Sequence, residues 1–174
     1  MSPFDQRTFV RAAGVLLGLA VYYAFDWEFF QHLWRFMFSA GLSAIGHDVH
    51  AIGIEDLRGF AVDGRAFGLS RNCTYVDLML VLAPLFWRPA RSVAANAGRL
   101  GTMVAALALF NFLRVTFAIH MNVSEGLDWE IVHFWPDFIF HFAIIVGAAL
   151  RAVWVDWREI GPDKMAIASV PQQA

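Results

Sequence analysis

Residues 71–87 read RNCTYVDLMLVLAPLFW, a polar start ending in a thiol and a hydroxyl, followed by a nearly unbroken apolar run. Only Arg71 and Asp77 are charged in it, so the chain is expected to leave water at Cys73 and Thr74 and continue as a membrane helix. Working outward, residues 12–25, 100–119 and 131–154 form comparable apolar runs. With residues 74–87 they approach or reach the roughly 20 residues that cross a bilayer, which gives four expected spans.

The composition agrees. Of 174 residues, 59% are hydrophobic and only 16% charged, against about 25% charged in soluble domains, and the mean hydropathy is +0.53. Seventeen Phe and seven Trp suit lipid contact and interfacial belts, and a net charge of -2 excludes a nucleic-acid surface. The first run follows Arg7 and Arg11 but ends in Tyr22, Tyr23, Asp26 and Trp27 without a small-x-small site, so it reads as a retained anchor.

Basic residues set the orientation. Arg88, Arg91 and Arg99 crowd the short loop between spans two and three, which places that loop in the cytoplasm. Both termini follow it, with Arg7, Arg11, Arg151, Arg158 and Lys164, whereas residues 120–130 hold no Lys or Arg and face outward. The other basic residues, Arg35, Arg58, Arg65 and Arg71, lie in the long outer segment 26–72, which weighs less. Residues 27–46 are apolar yet carry Glu28, Gln31, His32 and Arg35 early, charges that cost on the order of 2.5 to 3.5 kcal/mol each in hydrocarbon, so this stretch is expected to be an interfacial or re-entrant helix.

The expected fold is therefore an all-α integral membrane protein. It has about four transmembrane helices, the interfacial helix and a small outer β-hairpin, the last because Phe60, Val62 and Phe67 flank Asp63-Gly64, a pair suited to a type I′ turn. Such a hairpin, directly before Cys73, is placed to cap the outer face or to pair with an extended peptide. Residues 1–154 make one membrane-embedded domain, and residues 155–174 a polar cytoplasmic tail.

Three residues distant in sequence fall in one layer of this topology. Cys73 is at the outer edge of span two, His133 opens span four from the same side, and Arg114 lies roughly 7 Å below the outer end of span three at 1.5 Å per residue. Cys73 is the one cysteine and has no internal disulfide partner. Arg71, Arg114 and a helix start favour its thiolate, and Asp77 opposes it. A guanidinium inside an apolar span faces the interior with a partner. Asn111 is one turn inward on the same face, and Asp77 is the expected counter-ion. An imidazole suits acid and base work near neutrality, and Pro136 in a first helical turn holds His133 at the helix start. Asp137 and His141 follow His133 at four-residue spacing and leave a haem or metal reading open.

With Asn72-Cys73-Thr74 opening a span, a basic loop ending in Arg99, Asn111-Phe112-Leu113-Arg114-Val115 late in the next span and His133 opening the last, the chain resembles the exosortase and archaeosortase family of membrane cysteine transpeptidases. The resemblance covers roughly residues 50–154. It implies Cys73 as nucleophile, Arg114 as stabiliser of substrate or oxyanion, and His133 as acid or base, with Asn111 and Asp77 in support, and neither metal nor cofactor. The implied partners are secreted proteins bearing a C-terminal sorting signal, cleaved just outside the membrane, and membrane lipid. The chain departs from the family pattern at Tyr75, where a glycine is common, and at Asp77, and it lacks the additional spans of larger members. Two other classes compete: a membrane redox protein binding haem or metal through His133, His141 and His120, and a noncatalytic assembly subunit in which Arg114 and Asp77 form a structural pair.

Overall fold

A computed structural model describes residues 3–54 and 57–160. The chain runs through α1 (Pro3–Ala24), α2 (Glu28–Ala44), β1 (Val49–Ile54), β2 (Leu57–Val62), β3 (Arg65–Leu69), a 3-10 turn (Arg71–Thr74), α3 (Val76–Phe86), α4 (Val93–Ser124), a π turn (Glu130–Phe134) and α5 (Trp135–Ile160). The protein is mostly helical, with one small sheet.

Among the described residues, two of the four expected spans stand out as single long apolar helices. Two helices are long and apolar enough to cross a membrane, Val93–Ser124 and Glu130–Arg158, and α1 and α2 qualify only as a pair bent by 83°. α3 has 11 residues, roughly 16 Å of rise against a hydrocarbon core of about 30 Å. Pro84 removes a backbone donor in its last turn, and Trp87 is already extended. At the other bend the Trp27 indole donates to the Tyr22 carbonyl at 2.9 Å, meeting one of the acceptors left open where α1 ends. The chain turns there, and α2 is a separate helix.

α2 buries Trp34, Phe38 and Leu42, spaced by four residues along one stripe, while Glu28 and His32 stay exposed. The stripe packs with Phe60, Val62 and Leu69 of the sheet and Val115 and Ile119 of α4. Tyr75, Leu78, Leu82, Met103, Leu107 and Ala148 form a second core between α3, α4 and α5. α1 lies directly on α3: a Cβ at Gly18 would sit 2.7 Å from the Leu80 carbonyl oxygen, so only glycine allows this approach. Outward, Phe138, Ile139, Phe142, Leu150 and Trp154 of α5 are exposed, as lipid-facing residues are.

The expected hairpin is present and has an extra strand. β1, β2 and β3 form an antiparallel sheet in that order, with β1 unforeseen in the sequence. Asp63 and Gly64 both have positive φ, at 48° and 82°, as a type I′ turn requires. At the C-terminal end α5 continues to Ile160, so residues 155–160 are helix rather than tail, and the remaining expected tail, 161–174, lies outside the described residues.

Candidate active site

Cys73 sits in the 3-10 turn and is half-buried. Four helices hold this turn. Tyr22 of α1 donates its hydroxyl to Asn72 Oδ1 at 2.7 Å, the Trp34 indole of α2 donates to the Thr74 carbonyl at 3.0 Å, and Asn111 of α4 donates Nδ2 to the Cys73 carbonyl at 2.8 Å. The fourth tie runs through Tyr75, whose hydroxyl donates to Asp137 of α5 at 2.7 Å. Ser70 Oγ lies 3.5 Å from the sulfur.

Tyr75 occupies a strained corner of the backbone. Its backbone has φ 58° and ψ 15°, the left-handed conformation that glycine adopts freely and that costs other residues roughly 1–2 kcal/mol. The corner between the 3-10 turn and α3 requires this geometry. A fully buried tyrosine holds it here because its side chain is engaged: the ring lies 5.1 Å beneath the Arg114 guanidinium, and the hydroxyl anchors Asp137.

Arg114 is 8% exposed, as expected of an intramembrane guanidinium with interior partners. Its principal partner is Asp137, at 3.0 Å, and not the expected Asp77. Nη2 donates to Asn111 Oδ1 at 3.1 Å and Nη1 to the His133 carbonyl at 3.4 Å, so the arginine ties the asparagine that holds the Cys73 carbonyl to the backbone of His133. Asp77 instead lies 3.8 Å from His141, which is 3.3 Å from Asp137. Helix rotation accounts for the exchange, because depth places Asp77 and Asp137 alike and only the azimuth of each helix selects the carboxylate that meets Arg114.

His133 belongs to a π turn leading into α5, a local widening that recurs at functional sites, with Pro136 in the following first turn. Its ring stacks on Trp129 with centroids 4.3 Å apart. Its Nε2 is buried and has no hydrogen-bond partner among the described residues, and the same holds for Arg114 Nε and Asp77 Oδ1.

Cys73 and His133 line one cavity of about 300 Å³. Its walls are β3, Val115, Ile119 and Asn122 of α4, and Trp129. Arg65 closes one side by donating to the Asn122 carbonyl. Arg114, Asn111 and Asp77 do not line this cavity. The first two stand behind it, while Asp77, Asp137 and His141 line a separate recess of about 250 Å³ with Tyr22 and Asn72.

Both competing constellations fail to assemble. His133 faces the Cys73 cavity, His141 the second recess, and His120 lies 2.9 Å from His47 near the sheet, so the three histidines do not converge. Among the described residues no three His, Cys, Asp or Glu side chains are grouped to hold a metal. The Arg114–Asp77 pair of the assembly reading is replaced by Arg114–Asp137. Tyr75 and Asp137 are the site residues that sequence reasoning undervalued. For Asp137 the available signal was an acid one turn after His133.

No protein-family model, curated protein or solved structure matches the chain.

Proposed function

We propose that the protein is a membrane-embedded cysteine protease or transpeptidase of the exosortase type, cleaving a C-terminal sorting signal of secreted proteins. The observation that carries this reading is the cavity shared by Cys73 and His133, 60 residues apart in sequence, with Asn111 and Arg114 linking their two main chains behind it. A nucleophile and an acid or base must flank the same scissile bond, and that is the arrangement a common cavity supports.

In this mechanism the Cys73 thiolate attacks the scissile carbonyl, forming a carbon–sulfur bond and an oxyanion. Collapse breaks the peptide bond, His133 gives its proton to the departing amine, and a thioester remains. His133 then takes a proton from an incoming lipid or glycan hydroxyl or amine, or from water, and the thiolate leaves as the acyl group is transferred. Arg114, the expected stabiliser of substrate or oxyanion, acts in this geometry by position, holding Asn111, Asp137 and the His133 carbonyl behind the cavity.

The reading includes a topology: four membrane crossings, the short α3 among them, α2 lying at or re-entering the outer interface, both termini and the 88–92 loop cytoplasmic, and the Cys73 cavity on the extracytoplasmic side. Expression of wild-type and Cys73→Ala protein at equal levels tests the reading. The expected result is that secreted proteins with a C-terminal hydrophobic helix and basic cluster accumulate uncleaved in the Cys73→Ala cells; continued cleavage there would sink the mechanism.

A further inference from the structure

β3 is an edge strand, and its open edge faces the thiol. A two-residue turn makes its flanking pair, Val62 and Arg65, a mutually hydrogen-bonded pair, and such pairs then alternate along the ladder. Arg65, Phe67 and Leu69 therefore bond to β2, and the outward N–H and C=O groups of β3 belong to Ala66 and Gly68. Among the described residues these outward groups make no backbone hydrogen bond. They belong to the two smallest side chains of the strand, so a second backbone can approach closely.

Residues of both alternations, Ala66 and Gly68 as well as Phe67 and Leu69, line the Cys73 cavity. Side chains of a single face cannot do this, because neighbours point to opposite faces; a cavity running along the strand edge does. β3 ends at Leu69, Ser70 follows, and the 3-10 turn with Cys73 begins at Arg71. The open edge thus leads directly to the sulfur.

We infer that the substrate binds as an added strand: an extended peptide segment pairs with the Ala66–Gly68 edge of β3 as a fourth strand of the sheet, and this pairing delivers its scissile carbonyl to Cys73. The inference rests on the proposed protease reading. Backbone pairing supplies the affinity, and alternate side chains of the peptide enter the cavity against Phe67, Val115 and Trp129.

The test uses the full chain in detergent or nanodiscs and acetyl-tetra-alanine chloromethyl ketone, with which the Cys73 sulfur forms a carbon–sulfur bond as chloride departs. Two depsipeptide twins replace alternate amides by esters, in opposite registers, removing N–H donors without adding bulk. Only one register of a strand faces its neighbour, so one twin should label Cys73 roughly tenfold more slowly than the parent and the other at nearly the parent's rate. Ala66→Pro removes the outward N–H that would donate to a paired peptide carbonyl, leaves the β2 pairing and the outward C=O acceptors intact, and should slow the parent ketone several-fold; Ala66→Ser should not. Iodoacetamide, which needs no strand, should react equally with wild type and both variants. Equal rates for parent and both twins would overturn the inference, as would equal slowing of both twins or an unchanged parent rate in Ala66→Pro. If Ala66→Pro does not fold, the wild-type comparison of the twins decides alone. A register preference without processing of any sorting signal would refute the protease reading and leave the peptide site standing, whereas processing without the preference would refute the inference alone.

Discussion

Two arginine–carboxylate pairs lie near opposite ends of α5, with Asp137 and Asp156 roughly 29 Å apart along the helix, and they differ in what stands beside them. At the far pair, Arg11 of α1 donates to Asp156 and also to the Ala152 carbonyl, and Arg7 stands 3.7 Å from the second carboxylate oxygen. That cluster clamps the first helix to the last, and Asp156 Oδ1 is itself buried without a hydrogen-bond partner among the described residues. At the near pair, Arg114 meets Asp137, yet Arg114 Nε, His133 Nε2 and Asp77 Oδ1 remain buried without partners among the described residues. Buried polar atoms are normally paired, since each unpaired one costs about 1–3 kcal/mol; both clusters carry that cost, and only the near one is tied, through Asn111 and the His133 carbonyl, to the cavity that holds the thiol. That tie, and not the unpartnered atoms, separates the two pairs, and under the proposed reading it makes the near one part of the site.

The sharpest way to break this comparison is to remove one key group at each end. Cys73→Ala should abolish cleavage, a loss of at least about 10³-fold, while thermal unfolding in detergent stays near that of wild type. Asp156→Ala should do the reverse. Stranding Arg11 in the interior is expected to cost about 3–5 kcal/mol in unfolding measurements, with cleavage per folded molecule unchanged. If Asp156→Ala spares stability and stops cleavage, the distinction between the two pairs is wrong.

Within the near cluster, Asn111→Ala leaves the Cys73 carbonyl and one arm of Arg114 unpaired. The expected cost is about 1–3 kcal/mol in stability, with cleavage falling further than stability alone explains because the cysteine turn is released. Tyr75→Phe deletes only the hydroxyl bond to Asp137 and keeps the ring under Arg114, so a loss of about 1 kcal/mol and a several-fold drop in rate are expected, read by the same two assays. The smallest effect belongs to the hairpin. Asp63 accepts from His47 at 2.6 Å and from the Asp48 backbone N–H at 2.9 Å, bonds that hold its carboxyl below the usual range of about 3.9. A folded-state value that is lowered gives stability present above the unfolded value and lost as pH falls through the folded one. The hairpin should therefore loosen only below about pH 4, and hydrogen exchange at its strands should show this in wild type and not in Asp63→Asn.

Much of the site was legible because membrane depth is a one-dimensional coordinate that sequence reports well. Cys73, Arg114 and His133 were placed in one layer by counting residues from polar edges, and the structure brings the thiol and imidazole to one cavity with the arginine behind. Asn111 was legible as a helical neighbour of Arg114, three residues away on one face. The hairpin followed from Asp63-Gly64, whose positive φ angles depend on two residues alone. The counter-ion was not legible, because Asp77 and Asp137 share a depth and differ in azimuth. β1 was missed because a strand carrying His50 and Gly53 has little local signal and exists through its pairing with β2.

The sequence by itself determined the apolar character of the chain, the layer in which its reactive residues lie and the turn that closes its hairpin, since these follow from composition, residue counting and local backbone preference. Only the tertiary structure decided that α3 stops after 11 residues, that Arg114 answers Asp137, that a tyrosine occupies a left-handed corner, and that the open edge of β3 runs to the thiol. Those features depend on how each helix is rotated and how closely its neighbours pack, and packing between distant segments has no expression in the spacing of residues along one of them.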